Sequence, residues 1–206
     1  MSTSSPARGY HHGDLRDALL AAAERLMTER AGWTFTLREV ARAAGVSHNA
    51  PYNHFADRRA LLAAVAARGF GALTGALRGA LREVEASDVG AGIRATGCAY
   101  VAFAVAHPAR YRLMFSGELV ACEDAAFRAA GEEAFAVLRD LIARGVAAGR
   151  IRADRDGAHA LAAWSLVHGL AMLLLDGKVP GKAGGAVEGS MIDAVAATLI
   201  EGLAVP

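Results

Sequence analysis

The sequence predicts an all-α protein of about nine helices, and three observations carry that expectation. Alanine supplies much of a 54% hydrophobic fraction, and alanine gives up no side-chain entropy on entering a helix. Apolar residues recur at three- and four-residue spacings, as in Leu15, Ala18, Leu19, Ala22 and Leu26, which lines them along one face of a 3.6-residue period. Only 6% of residues are aromatic, and no long alternation of Val, Ile, Thr and Tyr marks a sheet.

Taken in order, residues 1–13 read as a polar arm without an apolar signal-peptide core. Asp14 is placed to open the first helix, and Gly32 follows its end. Thr36-Leu37-Arg38-Glu39 has the form of a capping box, Thr36 as N-cap and Glu39 reaching back from the third position. Leu37, Val40, Ala41 and Ala44 give this second helix a buried face, and Gly45 can take the left-handed conformation of its exit. Ser47 or His48 opens a third short helix reaching Asn53 or His54, with Pro51 near the start, where a missing N–H costs little. Asp57 caps a fourth helix over about 58–85, whose glycines at 69, 71, 75 and 79 argue against continuity. The remaining expectations are helices over 88–106, 110–115, 120–148, 154–176 and 191–203, with a Gly-rich loop over 177–189. The chain thus divides into a helix-turn-helix unit with its arm, 1–57, and a larger helical part, 58–206, in which 58–85 is a connecting helix.

Charge is unevenly spread. The first 68 residues hold nine Arg against six acidic residues, whereas the rest holds 13 Lys or Arg against 15. A mildly basic N-terminal unit on a nearly neutral chain permits nucleic-acid binding without demanding it. The long apolar run 161–175 has 15 residues, short of the roughly 20 that span a bilayer, so a soluble, cytoplasmic protein without membrane contact is expected. Cys98 and Cys122 sit in apolar surroundings and read as small buried hydrophobes of a reducing compartment, with a redox-sensing pair as the other reading.

A three- to four-residue turn containing Gly between two short helices is the mark of a helix-turn-helix, and Gly45-Val46-Ser47 supplies it. Val46, Ala50 and Phe55 are needed to anchor the third helix, which leaves His48, Asn49, Tyr52 and Asn53 outside the core. Two amides, an imidazole and a phenol on one short helix suit hydrogen bonding to base edges and phosphates of a major groove. Thr36, at a helix start, can present its hydroxyl and orphan N–H groups to a phosphate. Arg58 and Arg59 oppose the dipole of the helix they begin, so a phosphate explains them better than helix stability does.

The run from Leu37 to Arg58, with Gly45-Val46-Ser47 followed by Tyr52, His54 and Phe55, resembles the DNA-binding signature of the TetR family of repressors. Gly9-Tyr10-His11-His12-Gly13-Asp14-Leu15-Arg16 resembles a familiar opening of that family. His107-Pro108-Ala109-Arg110-Tyr111 and the Trp164-x-x-x-His168-Gly169 segment are similar to a subset of its C-terminal domains. The resemblance implies a homodimeric repressor that leaves a palindromic operator on binding a small-molecule effector. It implies that Thr36, Ser47, His48, Asn49, Tyr52, Asn53, His54 and Arg58 face double-stranded DNA. Tyr52 and His54 would hold phosphates, whereas His48, Asn49 and Asn53 would read sequence. Asn49 stands where many relatives carry Gly, and Arg8 in the arm is a candidate for the minor groove.

In the C-terminal part, Phe103, His107, Tyr111, Phe115, Trp164 and His168 are candidate effector contacts, although an apolar pocket and a plain core draw on the same residue types. His168 reads as a hydrogen-bonded interior histidine near an interface rather than a catalytic base. The resemblance implies a four-helix dimer interface, for which Leu161, Leu166, Leu170, Leu173, Val195, Ile200 and Leu203 are candidates. No catalytic triad, phosphate loop or metal-ligand spacing is present, so no enzyme activity, cofactor or metal is expected; His11-His12 lacks a third ligand. Two other readings stay open: a helical enzyme or lipid-binding protein with an incidental helix-turn-helix, and a DNA-binding activator or architectural protein with no effector.

Overall fold

The structure, a computed structural model, describes residues 12–120, 122–154, 156–179 and 189–203. The arm with Arg8 and His11, and most of the Gly-rich stretch, lie outside them. Among the described residues the fold is helical throughout, with eight α-helices and two short 3-10 turns. The helices are α1 (His12–Glu29), α2 (Leu37–Ala43), α3 (Arg58–Arg82), α4 (Val89–Ala106), α5 (Pro108–Met114), α6 (Ala125–Ala147), α7 (Ala158–Leu175) and α8 (Gly189–Leu203). Eight rather than about nine are found because the third expected helix is a 3-10 turn, Ala50–Asn53.

Helix α1 packs through Leu19, Leu20, Ala22 and Ala23, all fully buried. It ends at Glu29, and the left-handed turn that follows comes one residue before Gly32. Ala31 itself turns left-handed at φ 50°, and the Gly32 N–H returns to the Met27 carbonyl at 3.1 Å. Helix α2 carries the full capping box: Glu39 N–H donates to Thr36 Oγ1 at 3.2 Å, and Thr36 N–H donates to Glu39 Oε2 at 2.8 Å. Its exit is a Schellman turn. Gly45 stands at φ +70°, Val46 N–H bonds the Ala41 carbonyl at 3.0 Å and Gly45 N–H that of Arg42 at 3.1 Å.

Helix α3 runs unbroken for 25 residues from its Asp57 cap, about 37 Å of rise. Its six residues from Leu61 to Ala66 are all buried, because α3 lies between the N-terminal helices and the C-terminal bundle. One glycine has a packing reason: a Cβ on Gly69 would stand 2.7 Å from Met114 Sδ, so its absence lets α5 approach. The main hydrophobic cluster is continuous from Leu19 and Val40 through Leu62 and Leu73 to Tyr111 and Val137. A shift in the bundle can therefore press on the N-terminal helices without crossing solvent.

By length and composition α3, α4 and α7 are each long and apolar enough to cross a membrane. The 15-residue run lies within the 18 residues of α7, Ala158–Leu175, so its length alone does not exclude a span. Of the apolar windows, 61% of α3 and 50% of α4 is buried within the chain, against 28% of α7. Helix α7 is thus left with three exposed leucines, Leu166 and Leu173 on one face and Leu161 about a third of a turn round from them.

Candidate nucleic-acid interface and apolar cavity

The 3-10 turn is held from beneath. Pro51 is buried, Phe55 is buried with the Arg16 guanidinium 5.4 Å from its ring centre, and Val46 packs half-buried on the main cluster. Pro51, rather than Ala50, is the buried anchor from this segment, a role a proline can fill at a turn start without losing a needed N–H. The local chain is tied by Ala50 N–H to the Ser47 carbonyl at 3.0 Å and Phe55 N–H to the Pro51 carbonyl at 2.9 Å. With the apolar residues turned inward, Thr36, Ser47, His48, Asn49, Tyr52 and Asn53 are exposed and His54 is half-buried. Tyr52, a large side chain with 52% of its surface open, is unusual for a residue with no structural duty.

Two candidates are differently employed. The Thr36 hydroxyl is committed to its own cap, accepting from Glu39 N–H and lying 2.9 Å from Glu39 Oε2. That carboxylate also takes Arg30 Nη2 at 2.8 Å. Donation from the Thr36 backbone, then from Arg30, holds Glu39 at a pKa of about 2. Arg58 is engaged within the chain: Nε donates to the Phe35 carbonyl at 2.8 Å, Nη2 to the Trp33 carbonyl at 2.6 Å and Nη1 to Glu118 Oε1 at 2.6 Å. Its guanidinium thus serves as a structural clamp, with about a third of the side chain left open to solvent. Trp33 Nε1 donates to the other Glu118 oxygen at 2.8 Å, completing a joint between the segment before α2 and the 3-10 turn Gly117–Leu119. Arg38, Arg42 and Arg59 are exposed and carry no ion pair among the described residues. Arg38 and Arg42 went unnoticed in the sequence, although their i, i+4 spacing opposite buried Leu37, Val40 and Ala41 places both on the solvent face of α2.

In the C-terminal bundle a cavity of about 390 Å³ lies between α3, α4, α6, α7 and α8. Phe115 and Trp164 line it, together with Phe70, Tyr100, Phe135 and Leu138. Phe103, His107, Tyr111 and His168 do not. Phe103 is buried with its ring 5.0 Å from His107, and His107 faces a separate cleft of about 350 Å³ beside Glu24, Met27 and Arg110. Tyr111 is fully buried. Its hydroxyl lies 2.8 Å from His168 Nδ1 and 3.1 Å from the Tyr100 hydroxyl, which is itself 2.9 Å from Nδ1 and accepts from Trp164 Nε1 at 3.2 Å. The two phenols and Nδ1 thus close into one small polar triangle, in which the Tyr111 hydroxyl donates to that of Tyr100. Desolvation lowers the His168 pKa and raises that of Tyr100 to about 12 and that of Tyr111 further still, where Tyr100 adds to the effect. The set is therefore neutral, and it shapes the cavity wall instead of activating a nucleophile.

The interface candidates separate into two groups. Leu161, Leu166 and Leu173 are exposed. Leu170 and Leu203 are buried within the subunit, in different clusters, and so are not open to a partner; Val195 and Ile200 are half-buried. A broad apolar stripe on each helix concealed which residues the chain itself covers. Cys98 and Cys122 are free thiols. Among the described residues no cluster of His, Cys, Asp and Glu could hold a metal ion.

Comparison with known proteins matches residues 93–199 to the tetracyclin repressor-like C-terminal domain and residues 19–65 to the bacterial regulatory proteins of the tetR family. A protein of unknown function from Rhodococcus sp. RHA1 is 37% identical, with 97% of this chain and 100% of that one covered at a TM-score of 0.83. A TetR family transcription regulator from Marinobacter aquaeolei VT8 shares the fold at 18% identity, TM-score 0.70, covering 93% of this chain and 96% of that one. The fatty acid degradation regulator FadR from Bacillus halodurans does so at 17% identity, TM-score 0.68, with 93% and 97% covered. No curated protein matches the chain.

Proposed function

The chain belongs to the TetR family of DNA-binding transcription regulators, and from that premise we propose that it is a cytoplasmic homodimeric repressor released from a palindromic operator by a small molecule. The observation that carries the reading is the exposed polar edge of Ser47, His48, Asn49, Tyr52 and Asn53, held on buried Pro51 and Phe55. His48, Asn49 and Asn53 read base edges, while Tyr52 and His54 hold phosphates. Arg59, Arg38 and Arg42 supply the phosphate charge in place of Arg58. Residues 1–57 form the reading head and 58–206 the sensing and dimerising part.

A second subunit covers the exposed leucines of α7, Leu161, Leu166 and Leu173, the first two of which also border the cavity; this removes apolar surface from water and sets two reading heads about a two-fold axis. The effector occupies the apolar cavity. Its wall residue Phe115 is three residues from Glu118, and Glu118 grips Arg58 and Trp33. Displacement of Phe115 is thereby passed to the start of α3 and the segment before α2. Such a switch needs an occupant that favours one spacing of the heads by a few kcal/mol.

A gel-shift titration against the DNA flanking the protein's own gene tests this. Binding is expected to prefer one palindrome over random duplex and to weaken with salt at a log–log slope of about −0.9 per phosphate neutralised. Equal affinity for unrelated duplexes, or none, contradicts it.

A further inference from the structure

We propose that the cavity between α3, α4, α6, α7 and α8 takes a lipophilic cation, an apolar body bearing one protonated amine or quaternary ammonium whose charge rests against Glu132. The proposal rests on the cavity's being the effector site and names the class of molecule that enters it.

The lining has few polar groups, and its donors are already committed. The Thr96 hydroxyl lies 2.9 Å from the Gly92 carbonyl and 3.0 Å from that of Ile93, donating within its own helix. The Trp164 N–H goes to the Tyr100 oxygen. The Tyr100 hydroxyl is held between Tyr111 and His168 Nδ1. The helical backbone N–H groups of the walls are bound within their helices. Among the described residues no Lys, Arg or His lines the cavity. What the wall still offers is acceptor capacity, chiefly one carboxylate. A carboxylate or phosphate entering here would lose its water and meet neither a cation nor a free donor, a heavy penalty for a charged group.

Among the described residues Glu132 is the one charged residue of the lining. It is exposed, so it sits where the cavity meets solvent, and among the described residues it makes no ion pair, whereas its neighbour Glu133 binds Arg78 Nη1 at 2.9 Å. Behind it the wall presents the rings of Phe70, Phe115, Phe135 and Trp164, with Phe135 and Trp164 edge-to-face at 5.9 Å. Aromatic faces attract a cation through their quadrupole, and the attraction grows once the cation is desolvated. An apolar chamber of this size, aromatic inside and acidic at its mouth, is complementary to a molecule that is greasy at one end and positively charged at the other.

The test is isothermal titration of the full chain at low ionic strength with three probes of equal chain length: decylammonium, decanol and decanoate. The expected order is decylammonium tightest by about tenfold over decanol, with decanoate weakest. In Glu132→Gln, decylammonium is expected to fall to the affinity of decanol, and decanol to bind as before. Decanoate binding as well as decylammonium, or an ammonium preference that survives Glu132→Gln, overturns the proposal. Decanol binding with no head-group preference overturns the cationic class and leaves the cavity as an apolar effector site. Failure of all three probes to bind overturns both.

Discussion

Ala31 closes α1 at φ 50°, a conformation in which a Cβ is strained and which glycine adopts freely. Replacement by Gly is expected to stabilise the chain by about 0.5–1 kcal/mol, read as a higher urea midpoint at unchanged slope; a lower midpoint would show that the methyl group packs usefully. His168 is held neutral by burial, so its folded pKa lies below the ordinary value of 6.5. Its share of stability is complete above that ordinary value and is lost as pH falls through the folded one. His168→Asn keeps a polar partner for the two phenols but cannot titrate, and it is expected to flatten the decline of stability below about pH 6.5. An unaltered pH profile would place the acid sensitivity elsewhere. At this scale the capping box of Thr36 and Glu39 was legible, because both partners lie within four residues. Arg58 was not: its partner Glu118 is 60 positions away, and a cation at a helix start invites the phosphate explanation when only the neighbours are in view.

Among the elements, the local punctuation proved readable and the long-range ties did not. Gly45 and Gly149 end α2 and α6 as their place in the sequence implies, each with a positive φ. The third helix of the reading head is a 3-10 turn instead of an α-helix, since Pro51 and the two residues before it leave too short a run to complete i→i+4 bonding. The continuity of α3 was also hidden, because glycine propensity says nothing of Met114 standing against Gly69. The joint of Trp33, Arg58 and Glu118 makes a prediction of its own. Its ion pair is about one-third exposed, so its removal costs no more than about 1 kcal/mol, yet it is the polar tie between the segment before α2 and the turn Gly117–Leu119. Glu118→Ala is expected to raise amide hydrogen exchange around residues 33–37 while α6 and α7 keep their protection. Unchanged exchange there would mean that the hydrophobic cluster alone holds the reading head.

For the whole molecule, the fold class was carried by composition and periodicity, signals that do not depend on knowing contacts. Which leucines face inward depends on the partners of each helix, and so Leu170 and Leu203 could not be told from Leu166 and Leu173 by pattern. In the proposed dimer a second copy covers the exposed leucines of α7. Leu166→Glu combined with Leu173→Glu is expected to give a helical monomer by sedimentation with DNA affinity lowered by orders of magnitude, because one short reading element spans few base pairs; a dimer that persists would move the interface off α7. The account as a whole rests on the edge over residues 47–53 meeting base edges in the major groove. Its most direct test is the affinity of wild type, Tyr52→Ala and Asn53→Ala for every single-base variant of the operator. The account predicts that Tyr52→Ala weakens all variants alike, whereas Asn53→Ala erases a preference of about 1–3 kcal/mol at one position of each half-site. Equal loss across all bases for Asn53→Ala, with the preference intact, would contradict it.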